Sequence, residues 1–131
     1  MRTVWAIAVG AAVGGVARYY LATAVQQRIS ATFPWGTFLI NVSGSLLLGF
    51  IIRYALATPS MSIEVRALLT TGFCGGYTTF STYSYETAAL LEDGQYERAG
   101  LYAFGSVFLA LAGTLVGFLL ARELIAFRER L

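Results

Sequence analysis

The sequence predicts an all-α membrane protein with four transmembrane helices per chain, the third of them broken near Gly75–Thr79. Three observations predict it. The 131 residues are 57% hydrophobic and only 12% charged, with a mean hydropathy of +0.68, whereas soluble domains carry about a quarter charged residues. The apolar runs are each about the 20 residues that a hydrocarbon core of roughly 30 Å requires. The third run, TTGFCGGYTTFSTYSYE at 70–86, holds glycines, hydroxyls and aromatic rings that a helix merely crossing lipid would not need.

The first segment is expected at about 4–25. Its basic start and apolar run mimic a signal peptide, but the apolar character continues too far for one. Gly10 and Gly14 offer a close-packing face. Arg18 lies inside the span and has two readings. It either snorkels to the headgroups beside Tyr19 and Tyr20, or lends positive potential to an anion-filled vestibule.

A short connection ends in Phe33-Pro34-Trp35 and leads to the second segment, at about 35–56. Asn41 sits near its middle, with Thr37 one turn earlier. An amide there either bonds a neighbouring helix or lines a polar path. Ser43, Gly44, Ser45 and Gly49 add small residues for close helix contact.

The third segment is expected at about 66–91. Gly75-Gly76 reads as its weakest point, since each glycine costs a helix roughly 1 kcal/mol relative to alanine. Thr78 and Thr79 follow with hydroxyls able to satisfy freed backbone groups. Broken backbone at membrane depth is tolerated only where protein or a water-lined cavity covers it. The break is therefore the expected functional centre.

Glu92-Asp93-Gly94 leads to the fourth segment, at about 98–121, whose residues 99–121 carry no charge. Tyr102, Ser106 and Thr114 share one face, with Ala110 in the intervening place. The row extends roughly 18 Å at 1.5 Å per residue. Its hydroxyls either line a path or back-bond to the i−4 carbonyls. Gly113 and Gly117 mark a packing face, and ARELIAFRERL closes the chain as a charged interfacial tail. Arginine placement puts both termini on the cytoplasmic side by a modest bias that leaves both orientations open.

Composition excludes several functions. The basic residues are nine arginines interspersed with acids, net +2, so nucleic acid is not an expected partner. There is no histidine and one cysteine, Cys74, which removes histidine-based metal sites, histidine bases and internal disulfides. No P-loop is present. Neither an enzyme nor an organic cofactor is expected.

Four helices enclose too little volume for a private pore, so a homodimer in membrane lipid is expected. Asn41, the hydroxyls around 78–84 and the row on the fourth helix suggest a path for a small polar species. Glu86 is the one acid inside a span and lies near the end of its helix. The remaining groups are amide and hydroxyl donors, with rings at Phe80 and Tyr83 whose edges carry positive quadrupole character. That set suits a small anion held weakly enough to leave. Carbonyls released by two breaks meeting on a two-fold axis could also cage a monovalent cation.

The motifs GGVARYY (14–20), PWGTFLINVSGSLLLG (34–49) and GFCGGYTTFSTYSYE (72–86) resemble the Fluc fluoride-channel family, also called CrcB proteins. The resemblance covers the whole chain. It implies an antiparallel, dual-topology homodimer in the cell membrane, with two fluoride pathways and a central structural sodium ion. By resemblance, the backbone carbonyls of Gly75 and Thr78 hold the sodium. Asn41, Phe80 and Tyr83 match fluoride-lining positions, and Tyr102, Ser106 and Thr114 match a polar track. Thr37, Ser81, Thr82 and Glu86 match positions around the vestibule and pore, and Arg18 matches the arginine of the first helix. Two departures stand out: Tyr83 replaces a phenylalanine, and Ala110 a hydroxyl residue.

The implied function is passive fluoride export that protects the cytoplasm. Two alternatives belong to other classes. A small four-helix, proton-coupled multidrug-type transporter would use Glu86 as its embedded acid. A non-transporting assembly subunit would use the glycines and hydroxyls only for packing.

Overall fold

The computed structural model describes residues 1–29 and 32–130. Among them the chain is helical, with no strand. Its elements are α1 (Arg2–Ile29), α2 (Trp35–Leu56), α3 (Ile63–Ala67), a π-helical stretch (Leu68–Cys74), α4 (Gly75–Tyr77), α5 (Phe80–Glu92) and α6 (Tyr96–Glu129). Three of these, α1, α2 and α6, are long and apolar enough to cross a membrane. At 1.5 Å per residue they extend roughly 42, 33 and 51 Å. The run from α3 to α5 is the third of the four segments, interrupted as described below. The chain is a multi-pass membrane protein.

The helices begin earlier or end later than hydropathy alone suggests. α1 takes in Arg2 and continues to Ile29, and α6 absorbs the charged C-terminal tail as far as Glu129. A charged residue ends an apolar run without ending a helix, because arginine and glutamate are good helix formers. The α5–α6 turn is sharp. Gly94 adopts a left-handed φ of 73°, a conformation that glycine takes without steric cost.

Close backbone approach fixes the packing. On α1, a Cβ at Gly10 would collide with the Leu68 carbonyl, and one at Gly14 with the Phe73 carbonyl. The α1 stripe thus lies directly on the π-helical stretch, the two running in the same direction. α2 and α6 also run parallel: Gly113 faces the Val42 carbonyl, and Gly117, one turn on, faces the Leu46 carbonyl. Such small-residue seams are what helix association in lipid selects, since apolar burial gives little drive there. At one end of the bundle Phe38, Leu90, Ala99 and Tyr102 form a buried cluster, with Phe33 and Trp35 packed against it.

Candidate functional site: a helix break clamped by α1 and α2

The third segment is broken at Thr78–Thr79, not at the paired glycines. Gly75 is helical (φ −64°, ψ −36°), and α4 continues through Tyr77. Thr78 (φ −85°, ψ 160°) and Thr79 (φ −152°, ψ 113°) are extended. Gly76 serves packing: a Cβ there would stand 2.5 Å from the Ala11 carbonyl oxygen, whereas one on Gly75 would meet nothing closer than 3.9 Å. The preceding turns are already irregular. The Thr70 hydroxyl donates to the Arg66 carbonyl at 2.8 Å, a back-bond that bends helices, and the chain there forms the rarer π-helix often found at functional sites.

The Thr79 N–H and the Thr78 carbonyl, both freed by the break, find partners on other helices. The Thr79 N–H, which a continuous helix would give to the Gly75 carbonyl, donates to Asn41 Oδ1 at 2.8 Å. Asn41 Nδ2 donates to the Thr79 carbonyl at 3.1 Å. Arg18 Nη1 donates to the Thr78 carbonyl at 3.1 Å. The Thr79 side chain caps α5 by accepting the Thr82 N–H at 3.2 Å, and its Oγ1 also lies within bonding distance of the Thr82 and Ser81 hydroxyls. An unpaired amide group in an apolar medium costs several kcal/mol, so these contacts decide whether the break can exist. Gly44 completes the clamp: a Cβ there would overlap the Thr78 methyl and the Tyr77 ring.

Beside the break lies an open cavity of about 240 Å³, lined among others by Asn41, Thr79, Phe80, Tyr83, Ser106 and Ala110. None of its lining residues is charged. The buried Ser106 hydroxyl has no hydrogen-bond partner among the described residues. Phe80 and Tyr83 have ring centroids 5.4 Å apart and planes tilted by 39°. The Tyr83 hydroxyl donates to the Ala103 carbonyl at 3.0 Å, which anchors the ring to α6. Phe80 is 78% exposed on the single chain.

On the other side of Thr79 is a cavity of about 280 Å³, lined by Arg18, Tyr19, Thr37, Thr79 and Thr82 among others. Thr37 and Thr82 also line a third, of about 620 Å³, which includes Gln26, Tyr85, Glu86 and Asp93. The three therefore follow one another through shared threonines. At the junction of the second and third, Glu86 is held at both oxygens. The Thr37 hydroxyl donates to Oε1 at 2.9 Å, and the Tyr102 hydroxyl donates to Oε2 at 2.6 Å.

The expected row on α6 is thus divided. Tyr102 is fully buried and serves Glu86. Ser106 and Ala110 line the smallest cavity. Thr114 spends its hydroxyl on the Ala110 carbonyl at 3.1 Å and the Ser45 carbonyl at 3.3 Å, away from that cavity. Arg18, read from sequence as either snorkelling or lending potential to a vestibule, donates to the break itself and lines the cavity of about 280 Å³. Gly75 and Ser81 are exposed on the single chain, and Thr78 is half-buried.

Some roles were not read from sequence. Thr79 is the hub of the clamp, and its signal was available: a threonine just before a renewed helical run is a favoured N-cap. The Ser43 hydroxyl and the Tyr77 hydroxyl lie 3.0 Å apart and tie α2 to α4. Gln26 repeats the carboxamide device, accepting the Gly36 N–H at 3.1 Å and donating to the Phe33 carbonyl at 3.2 Å.

Comparison with known proteins agrees with the motif resemblance. The family model described as CrcB-like protein, Camphor Resistance (CrcB), matches residues 5–118. A protein of Geobacter sulfurreducens named "Fluoride-specific ion channel FluC" is 53% identical over 124 residues, covering 95% of this chain and 100% of the relative. Proteins of the same name from Chlorobaculum tepidum and Thermus thermophilus are 50% and 44% identical, over 93% and 91% of this chain and 96% and 94% of theirs. The chain belongs to the CrcB family.

Proposed function

We propose that the protein is a passive, fluoride-selective ion channel of the cell membrane that drains fluoride from the cytoplasm. The observation that carries this reading is the unpartnered Ser106 hydroxyl in a cavity without a lining charge, between the Asn41 amide and the Phe80 and Tyr83 rings. A buried hydroxyl normally finds a partner. A small anion would supply one, solvated by hydroxyl and amide hydrogens and by ring edges. Asn41 uses one amide N–H on Thr79 and retains the other. The first-turn N–H groups of α5, at the positive end of its dipole, favour the same charge sign. Fluoride is the anion named by the close relatives. Hydrogen fluoride crosses membranes as a neutral acid and ionises inside, so a passive path down the electrochemical gradient protects the cell.

In this reading Arg18, Thr37, Ser81, Thr82 and Glu86 form the vestibule side of the path, joined through Thr79 to Asn41, Phe80, Tyr83 and Ser106. Tyr102 fixes Glu86, and Thr114 belongs to the α2–α6 seam. The exposure of Phe80, Ser81 and Gly75 supports an assembly of two chains, in antiparallel dual topology, in which a partner covers this face.

A structural sodium ion at the two-fold axis is compatible with the donor chemistry. The break releases the Gly75 carbonyl from its helical donor, and the Thr78 carbonyl keeps one lone pair beyond its bond to Arg18. Backbone carbonyls of Gly75 and Thr78 from both chains would hold it, and its charge would tie the two chains together. Glu86, the acid that a proton-coupled transporter would need, is committed to Thr37 and Tyr102.

Efflux from liposomes tests the function. Purified protein in vesicles loaded with potassium fluoride or potassium chloride, with valinomycin to clear charge, should release fluoride and retain chloride. Release of neither ion from folded protein would contradict it.

A further inference from the structure

At the end of the bundle opposite the buried aromatic cluster, α2 and α6 each leave their apolar span at an arginine. Residues 35–52 carry no charge and Arg53 follows; residues 99–121 carry none and Arg122 follows. Because the two helices run parallel, with Gly113 against Val42 and Gly117 against Leu46, the arginines arrive side by side. Both line an open cavity of about 390 Å³, with Leu56, Ala57, Ile125 and Ala126 as its apolar lining and Glu129 as its one acid. Glu129 lies seven positions beyond Arg122, about 10 Å farther along the axis, and so toward water. A pair of guanidinium groups at the hydrocarbon boundary, above an apolar floor and with net positive charge, matches a phosphodiester attached to acyl chains. Neighbouring arginines are differently engaged: Arg66 donates to the Ala55 carbonyl at 3.2 Å, and Arg128 to the Tyr54 hydroxyl at 3.5 Å.

We propose that this cavity is a binding site for an anionic glycerophospholipid, whose phosphodiester lies between Arg53 and Arg122 and whose glycerol and first methylenes cover Leu56 and Ile125. The site is separate from the break and from the proposed anion path. It would hold the α2–α6 seam at a fixed depth in the membrane.

Native mass spectrometry of the purified protein, titrated with dioleoylphosphatidylglycerol, tests it. Each arginine near an anionic surface contributes roughly a fivefold gain in affinity, so Arg53→Gln with Arg122→Gln should weaken the first lipid adduct about 30-fold. Arg128→Gln with Arg130→Gln removes the same charge outside the cavity and should leave that adduct in place. Ala126→Phe, which fills the apolar floor and keeps both charges, should also weaken it and covers the case in which the double variant does not fold. Equal weakening by both arginine pairs would overturn the proposal in favour of diffuse charge attraction. Inorganic phosphate displacing the lipid at equal concentration would overturn it in favour of a free-anion site.

Discussion

The Asn41 carboxamide pairs with both polar groups of Thr79, accepting its N–H at 2.8 Å and donating to its carbonyl at 3.1 Å. A side chain on α2 thereby takes up the N–H that the break leaves without a helical acceptor, and adds a second bond to the N-cap carbonyl of α5. Asn41→Ala leaves the Thr79 N–H without a partner, while the Thr79 carbonyl keeps the first intrahelical bond of α5. At about 1–3 kcal/mol for one unsatisfied buried group, the variant should lose roughly that much stability. A thermal melt of the detergent-solubilised protein measures this, and an unchanged midpoint would show that the clamp is dispensable.

Ser106→Ala separates site from scaffold. The hydroxyl is buried and unpartnered, so its removal should leave the melt unchanged or raise it slightly. Fluoride flux should nevertheless fall about tenfold, the worth of one hydrogen bond to a charged group. Stability and flux falling together would assign Ser106 to packing.

Phe80→Ile keeps bulk and removes the ring. The side chain is 78% exposed on the single chain, so the fold should tolerate the change, and size-exclusion chromatography should still give the proposed dimer. Ring-edge attraction of about 0.5–1.5 kcal/mol corresponds to a flux loss of roughly 2- to 13-fold. Full flux from an intact dimer would remove the aromatic part of the account.

Tyr83→Phe keeps the ring and removes its hydroxyl. That hydroxyl is occupied by the Ala103 carbonyl, so the expected result is a stability loss of about 1 kcal/mol with fluoride preference over chloride retained. Loss of preference would make the hydroxyl, rather than the ring, the selective group.

Much of this arrangement is legible in the sequence because lipid makes polar residues conspicuous. Asn41, Arg18 and Glu86 stand out in apolar runs, and each proves to hold another element. The helix break was legible as a region, but its position was not. Glycine propensity points to Gly75-Gly76, whereas tertiary contacts keep those residues helical and extend Thr78–Thr79. What chose the threonines was the geometry of Asn41 and the N-cap at Thr79, neither visible in a propensity scale. The row on α6 shows the converse limit. Spacing places Tyr102, Ser106 and Thr114 on one face, but only the neighbouring backbone decides that Thr114 bonds Ser45 while Ser106 opens onto a cavity.

The central claim is that a charge-free cavity beside the break selects fluoride. Reversal potential in a planar bilayer containing the protein, with opposed fluoride and chloride gradients, tests it most directly. The account predicts a current that reverses at the fluoride equilibrium potential and is unmoved by changes in chloride. Reversal at the chloride potential, or midway between the two, would contradict it.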